Sequence, residues 1–443
     1  MPFFKPAARV IFTFLFLCSL LHTTKADALL YTIKPEVTLR EGPDQDSRIL
    51  KKLRHNQTLT EKEKSGQWIR VRTLTGLEGF VNQDMVSDTW IRIYKEERLL
   101  TVMKGEAPLK SFRVALSPSN PYKDKVRQGD SGTPEGRFYI CEMLDNPARE
   151  RYGARSMRLS YPNIEDARRG LTEKLIDYDT YRTILKDIQV GKMPQQNSAL
   201  GGSIRIHGGG NSNDWTLGCV ALDDKDIIEL FGMTSVGTRV EIYRNKKQDA
   251  QINNPDFLNN KILEGAKTQL KNPALYTTNA TGLLKISYPM GDISQKEAVC
   301  TDIIIRALRH AGIDLQALVH EHVLSYPEQY TNIQKPDYNI DHRRTRNLQI
   351  YLKHNAINIF DGSGKPDMAA LKPGDIVILD TGIQNGTAFD HIGIVDTEKG
   401  DSGNFRLINI WTIGYHTESM SLLGKDYPDV VGVFRLTHLF DYQ

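Results

Sequence analysis

The sequence predicts a multidomain chain: a small β-rich module, then a mainly-β domain with a helical insert, then an α+β domain. Three observations carry that reading. After an expected leader is removed, about 415 residues remain, enough for roughly three domains at ~100–200 residues each. Apolar and polar residues alternate with period two through the first two parts, as half-buried strands require. In the last part, apolar residues at helical spacing precede two strand-like runs.

Residues 1–28 read as a secretory leader. Lys5 and Arg9 precede an apolar run from Val10 to Leu21, and Ala26-Asp27-Ala28 is an A-x-A cleavage signal. The run is too short to span a bilayer; an uncleaved anchor is the alternative. Cys18 follows Leu17 rather than a small residue, so it is expected to leave with the leader. Cleavage takes net charge from +3 to +1, removing Lys5, Arg9, Lys25 and Asp27. That balance argues against bulk nucleic-acid binding. The expected location is the periplasm or cell wall, with no stable membrane insertion after cleavage.

Residues 29–90 carry short strand signals separated by turns. Gly66-Gln67-Trp68-Ile69-Arg70-Val71-Arg72 alternates, so one face is buried. Residues 91–245 continue in strands, with a polar, helical insert around Ile164–Lys192. Residues 246–254 are polar and aperiodic and form the expected linker. Residues 255–443 open on a helix starting at Pro255 with Asn254 as cap, and with Leu258, Ile262, Ala266 and Leu270 as its apolar stripe.

Three cysteines survive cleavage: Cys141, Cys219 and Cys300. An odd number leaves at least one free thiol. Cys141 lies in a strand-like run and reads as a buried structural thiol. Cys219 follows His207 by twelve positions, and the glycines Gly208 to Gly210 and Gly218 allow tight turns around both. An ordinary thiol is about 3% ionised at neutral pH; an imidazolium that lowered its pKa to ~6 would make it about 90% thiolate. That gain is why a cysteine nucleophile wants a histidine. Backbone N–H groups at Gly218 and Cys219 are candidates for holding an oxyanion. A zinc site would need a further Cys or His in this stretch, which has none. No metal or cofactor is expected.

Four motifs in order resemble the L,D-transpeptidase catalytic domain of YkuD type, and its YafK-like branch in particular. They are Gly129-Asp130-Ser131-Gly132-Thr133-Pro134-Glu135-Gly136-Arg137-Phe138, Leu159-Ser160-Tyr161-Pro162-Asn163, Ile206-His207-Gly208 and Trp215-Thr216-Leu217-Gly218-Cys219-Val220-Ala221-Leu222. The resemblance covers about residues 91–243. It implies Cys219 as nucleophile, His207 as its base, the Gly208 carbonyl orienting the imidazole, and Arg205 as a candidate substrate contact. Where most of the family has a second histidine, this chain has Leu217. The YafK-like branch tolerates that change and is associated with hydrolysis. The Leu-Arg-x-Gly-Pro start, Gly-x-Trp strand and Gly-Phe-Val close of residues 29–90 resemble a bacterial SH3-like domain, a small β-barrel. Such a module implies wall-peptide binding; a packing domain without a ligand is the alternative.

Cys300 lies on the apolar face of a helix with Ile303, Ile304, Ala307 and Leu308. Ser294-Gln295-Lys296-Glu297 fits a capping box for that helix. Cys300 reads either as a core cysteine or as a nucleophile aimed at a sheet, its thiol acidified by the helix N-terminus. Downstream, His391 opens a strand and Asn409 sits on the next. This order resembles the NlpC-type superfamily of papain-like cell-wall peptidases, and an uncharacterised bacterial family within it. Its marks are Tyr288-Pro289-Met290-Gly291-Asp292, Val299-Cys300-Thr301-Asp302, Asn339-Ile340-Asp341-His342-Arg343-Arg344 and His391-Ile392-Gly393-Ile394-Val395. The resemblance implies Cys300 as nucleophile, His391 as base and Asn409 as its orienting partner, since Ile408 replaces the usual histidine. Arg343 either lines the cleft or belongs to a structural salt-bridge cluster.

The function these readings imply is an exported peptidoglycan-modifying enzyme, an L,D-transpeptidase of wall stem peptides with a second amidase or peptidase site. An L,D-hydrolase that cuts wall peptides or detaches a wall-attached protein is the alternative enzyme. A wall-binding scaffold with relic sites is the alternative of another class. Accessible low-pKa thiols are readily oxidised, so a thiol reductase is an expected partner.

Overall fold

The computed structural model describes residues 28–277, 285–425 and 428–438. The expected leader lies outside the described residues, save for Ala28. Among the described residues no helix is long and apolar enough to cross a membrane.

The first sheet has seven strands in the order Ile49–Leu53, Val37–Arg40, Glu78–Asn82, Trp68–Thr73, Thr58–Ser65, Leu29–Thr32 and Val86–Ser87. Alternation in Trp68–Thr73 buries Ile69, Val71 and Thr73 and turns Arg70 and Arg72 outward to Glu78. Ile69 and Val71 join Val37, Leu39, Leu59 and Val81 in one core. Each such fully buried side chain is worth about 1.5–3 kcal/mol.

The second sheet has eight strands, with Thr89–Tyr94 beside Arg239–Tyr243, then Gly136–Leu144, Ser156–Leu159, Arg205–His207 and Val220–Ala221 at one edge. Two helices, Ile164–Thr172 and Tyr178–Gln189, lie between Ser156–Leu159 and Arg205–His207 in sequence. Asn163 and Asp166 cap the first reciprocally, side chain to backbone N–H, at 2.9 and 3.0 Å. The two helices share a core of Ala167, Ile176, Tyr181, Ile184 and Leu200. Cys141 lies in the strand Gly136–Leu144 and is partly rather than fully buried; its thiol is pushed up to about 12 by burial.

The third sheet has six antiparallel strands, with Ile376–Asp380, His391–Lys399 and Phe405–Asn409 adjacent. Helices Phe257–Lys271 and Cys300–His310 pack together and against His391–Lys399. Leu258, Ile262, Ala266, Ile303, Ile304, Ile392, Ile394 and Ile408 form their shared core, with Leu270 partly buried against it.

Three local expectations are corrected. The linker is not aperiodic: Lys246–Ile252 is a helix, capped by Asn245 Oδ1 on the Gln248 N–H at 3.0 Å. The next helix starts at Phe257 rather than Pro255, because Asn254 Oδ1 takes the Asp256 N–H (2.8 Å) in a turn that competes with helix. The Ser294–Glu297 capping box does not form either. Glu297 lies in the short strand Glu297–Ala298, and Asp302 caps the Cys300 helix by accepting the Val299 N–H at 2.8 Å.

Candidate functional site

His207 ends a strand that runs parallel to Val220–Ala221, with Ile206 opposite Val220 and His207 opposite Ala221. One step back along that register, Arg205 stands opposite Cys219. Side chains two apart share a strand face, so Cys219 and His207 share one, ~7 Å apart along the strand. The Cys219 thiol donates to the Ser203 carbonyl oxygen at 3.7 Å.

The turn that carries Cys219 depends on Gly218. Its φ is +121°, and a Cβ there would meet the Gly132 carbonyl oxygen at 2.6 Å. Thr216 closes the turn: its hydroxyl donates to the Cys219 carbonyl at 2.8 Å and accepts the Gly218 N–H at 3.4 Å. The Gly132 loop is itself pinned by Asp130, whose carboxylate takes the Val126, Arg127 and Gly132 N–H groups and the Lys125 ammonium.

His207 Nδ1 lies 2.7 Å from the Gly208 carbonyl oxygen. A carbonyl only accepts, so Nδ1 bears the proton and Nε2 is the basic atom. The ring is wedged edge-on between Tyr152 and Trp215. Asp224 braces the backbone behind it, accepting the Ala154 and Gly209 N–H groups at 2.8 and 2.9 Å. Leu217 is 78% exposed beside Cys219. Arg205 is buried, its guanidinium held by Glu142 and by Ser156 Oγ. Its guanidinium carbon lies 5.2 Å from the centroid of the Tyr152 ring.

Burial lowers His207 to about 4 and raises the Cys219 thiol above its ordinary value. This corrects the expected standing imidazolium: near neutral pH the pair is a thiol beside a neutral imidazole. Such a pair can pass the proton only as the sulfur reacts.

Cys300 is the first residue of its helix, partly buried, with Thr345 Oγ1 at 3.9 Å from its sulfur. His391 opens the facing strand. Its Nε2 lies 3.0 Å from Asn409 Oδ1, and the Asn409 amide nitrogen donates to the Leu407 carbonyl at 3.0 Å. That fixes Nε2 as the protonated nitrogen and leaves Nδ1 basic. Trp411 packs edge-on against the ring. Burial lowers His391 to about 4 and raises Cys300 to about 11. Among the described residues no hydrogen bond joins either sulfur to its histidine. Arg343 does not reach the sulfur; it is buried in an ion pair with Asp302 at 2.8 Å.

Sequence reading missed Thr216, Asp224, Thr345 and Trp411. Thr216 alone carried a local signal, its place in the Trp-Thr-Leu-Gly-Cys run; the others act across distant parts of the chain.

Family models match three segments. Residues 35–87 match a bacterial SH3 domain, 88–242 the L,D-transpeptidase catalytic domain (YkuD), and 263–436 a domain of unknown function, DUF1287. The chain is 36% identical over 138 residues to the uncharacterized protein YijF of Escherichia coli (strain K12), covering 30% of this chain and 62% of that protein. Among solved structures, Bd1075 of Bdellovibrio bacteriovorus is 20% identical, over 42% of this chain and 59% of that one, at a TM-score of 0.26. An L,D-transpeptidase of Xylanimonas cellulosilytica is 17% identical, over 35% of this chain and 61% of that one, at 0.22. The helical cell shape determining protein Pgp2 of Campylobacter jejuni is 12% identical, over 72% and 90%, at 0.29. The chain thus spans less than two thirds of YijF, Bd1075 and the Xylanimonas enzyme. In chain order, its segments are thus similar to a bacterial SH3 domain, the YkuD L,D-transpeptidase catalytic domain and DUF1287.

Proposed function

We propose that the protein is an exported enzyme that remodels peptidoglycan stem peptides through a thioacyl intermediate at Cys219. The observation that carries this is the His207–Gly208 hydrogen bond at 2.7 Å, which leaves Nε2 basic on a strand paired with Val220–Ala221, the strand that follows Cys219. His207 Nε2 takes the thiol proton as Sγ attacks the amide carbonyl. The carbonyl oxygen becomes an oxyanion beside the Gly218–Cys219 turn. The C–N bond breaks, the amine leaves with the proton, and a thioester remains. An acceptor amine then attacks the thioester, its proton passes to His207, and the thiol is restored. Water in place of the amine gives the L,D-hydrolase outcome of a YafK-like enzyme.

The third domain is read as a papain-like, NlpC-type site in which Cys300 attacks, His391 Nδ1 takes the proton and Asn409 holds the ring. Supporting this are the His391–Asn409 bond at 3.0 Å and the packing of the Cys300 helix on the His391 strand. Gly208 and Gly218 shape the first site; Arg205 and Arg343 support the two sites electrostatically rather than by touching substrate.

The test is mass spectrometry of purified wall peptides incubated with the mature protein and with Cys219→Ala and Cys300→Ala. Cross-linked or exchanged peptides lost with Cys219→Ala establish transfer; water adducts lost with it establish hydrolysis. Products lost with Cys300→Ala establish the second site. Unchanged peptides with all three proteins, alongside intact wall binding, leave the scaffold.

A further inference from the structure

A cavity of about 690 Å³ opens where the SH3, YkuD and DUF1287 domains meet. Small-ligand sites fall in the range of ~300–1,000 Å³. Neither Cys219 nor Cys300 lines it. The segment Lys51–Gln57 forms one wall, the two YkuD-domain helices a second, and the helix Leu315–Ser325 a third.

Its charges are incompletely paired. Glu165 lines the cavity, and among the described residues no hydrogen bond or ion pair reaches its carboxylate. Burial raises its pKa. The neighbouring Arg168 spends Nη1 on the Gly312 carbonyl, and its buried Nε has no partner. Glu321, from the third domain, accepts one neutral bond from Gln189 at 2.9 Å and has no ion pair among the described residues. Burial raises it too. On the SH3 wall, Lys51 Nζ donates to the His354 carbonyl at 2.7 Å and meets no carboxylate. The exposed Arg54 guanidinium forms no ion pair within 4 Å among the described residues, although its charge acts on Glu321.

Charges that burial desolvates are normally paired. Here Glu165 stands on the second wall and Glu321 on the third, with Lys51 and the exposed Arg54 on the first and ligand-sized space between them. We propose that this junction cavity binds a small zwitterion, an amino acid or short peptide whose ammonium meets Glu165 and Glu321 and whose carboxylate meets Lys51 and Arg54. Such a ligand touches all three domains, so its occupancy favours the arrangement that forms the cavity. The proposal needs neither cysteine.

The experiment is isothermal titration calorimetry of the full mature chain with the dipeptide Ala-Lys. Expected is one site per chain, with affinity at least about tenfold weaker in Glu165→Gln and in Glu321→Gln. A doubly acetylated dipeptide, lacking both ammonium groups, and the dipeptide amide, lacking the carboxylate, lose about tenfold as well. Arg54→Gln lies on an exposed turn, and it weakens binding without a change in circular dichroism. Should either glutamate variant fail to fold, Arg54→Gln and the modified peptides decide. Absence of heat with Ala-Lys up to about 10 mM overturns the proposal. So does binding that is indifferent to Arg54→Gln and to the modified peptides, since it places the dipeptide elsewhere.

Discussion

The two cysteine sites present the same pair of groups in opposite ways. Cys219 sits on a glycine turn at the edge of a sheet, while Cys300 begins a helix that lies across one. His207 is held through Nδ1 by the carbonyl of the residue that follows it; His391 is held through Nε2 by Asn409, eighteen positions on. The basic nitrogen is therefore Nε2 in the first site and Nδ1 in the second. In both, burial depresses the imidazole and lifts the thiol. Even the helix N-terminus, which favours a thiolate, does not overcome it at Cys300. Two unrelated backbones thus arrive at one electrostatic state, a thiol near a neutral imidazole.

The strongest way to separate the sites is Gly218→Ala. The new Cβ meets the Gly132 carbonyl at 2.6 Å in a backbone region that alanine avoids. Products dependent on Cys219 should fall by about 10²–10³-fold, while those dependent on Cys300 are unchanged. Equal loss of both product sets would show that the variant has unfolded the chain.

Asn409→Ala is the mirror experiment. It frees the His391 ring, and Cys300-dependent turnover should drop about 10²-fold with Cys219-dependent turnover intact. A third domain unaffected by the change would not use His391 in this orientation.

The shared electrostatic state is tested by pH. The competent base is neutral imidazole, and both histidines are lowered to about 4. Activity at either site should therefore hold as pH falls through 6 and decline only near 4, in profiles of kcat/KM. The raised thiols should alkylate slowly with iodoacetamide at neutral pH and faster as pH rises toward 9. An acid limb between 6 and 7, or fast neutral alkylation, would mean a standing thiolate–imidazolium pair. Slow oxidation in air would follow from the same protonated thiols and would remove the need for a reductase partner.

Thr216→Val is the gentlest probe. It deletes a bond to the Cys219 carbonyl at 2.8 Å. A net hydrogen bond of about 1 kcal/mol predicts about a fivefold loss in Cys219-dependent kcat, with KM little changed.

Much of this was legible because it is local. Alternation in Trp68–Thr73 predicts its buried face, and the glycine beside Cys219 signals a turn closed to a side chain. The spacing of Ile303, Ile304, Ala307 and Leu308 predicts the helix that carries Cys300. What escaped depends on distant partners. Arg205 looks free in sequence, yet Glu142 and Ser156 reach it from neighbouring strands. Asp302 displaces Glu297 as cap because Arg343 fixes it from 41 positions away. The standing imidazolium failed for the same reason: ionisation follows burial, and burial is set by the whole fold.

Each cysteine lies against its histidine's strand: the Cys219 thiol is 3.7 Å from the Ser203 carbonyl oxygen, just before Arg205–His207, and the Cys300 helix packs on His391–Lys399. Each cysteine is thereby held close to the strand that carries its histidine. When the sheet shears or breathes, sulfur and imidazole travel together, as the jaws of a caliper share one rail. Loops around either cleft can then be exchanged to suit a different substrate while the alignment of the reacting atoms stays with the rail.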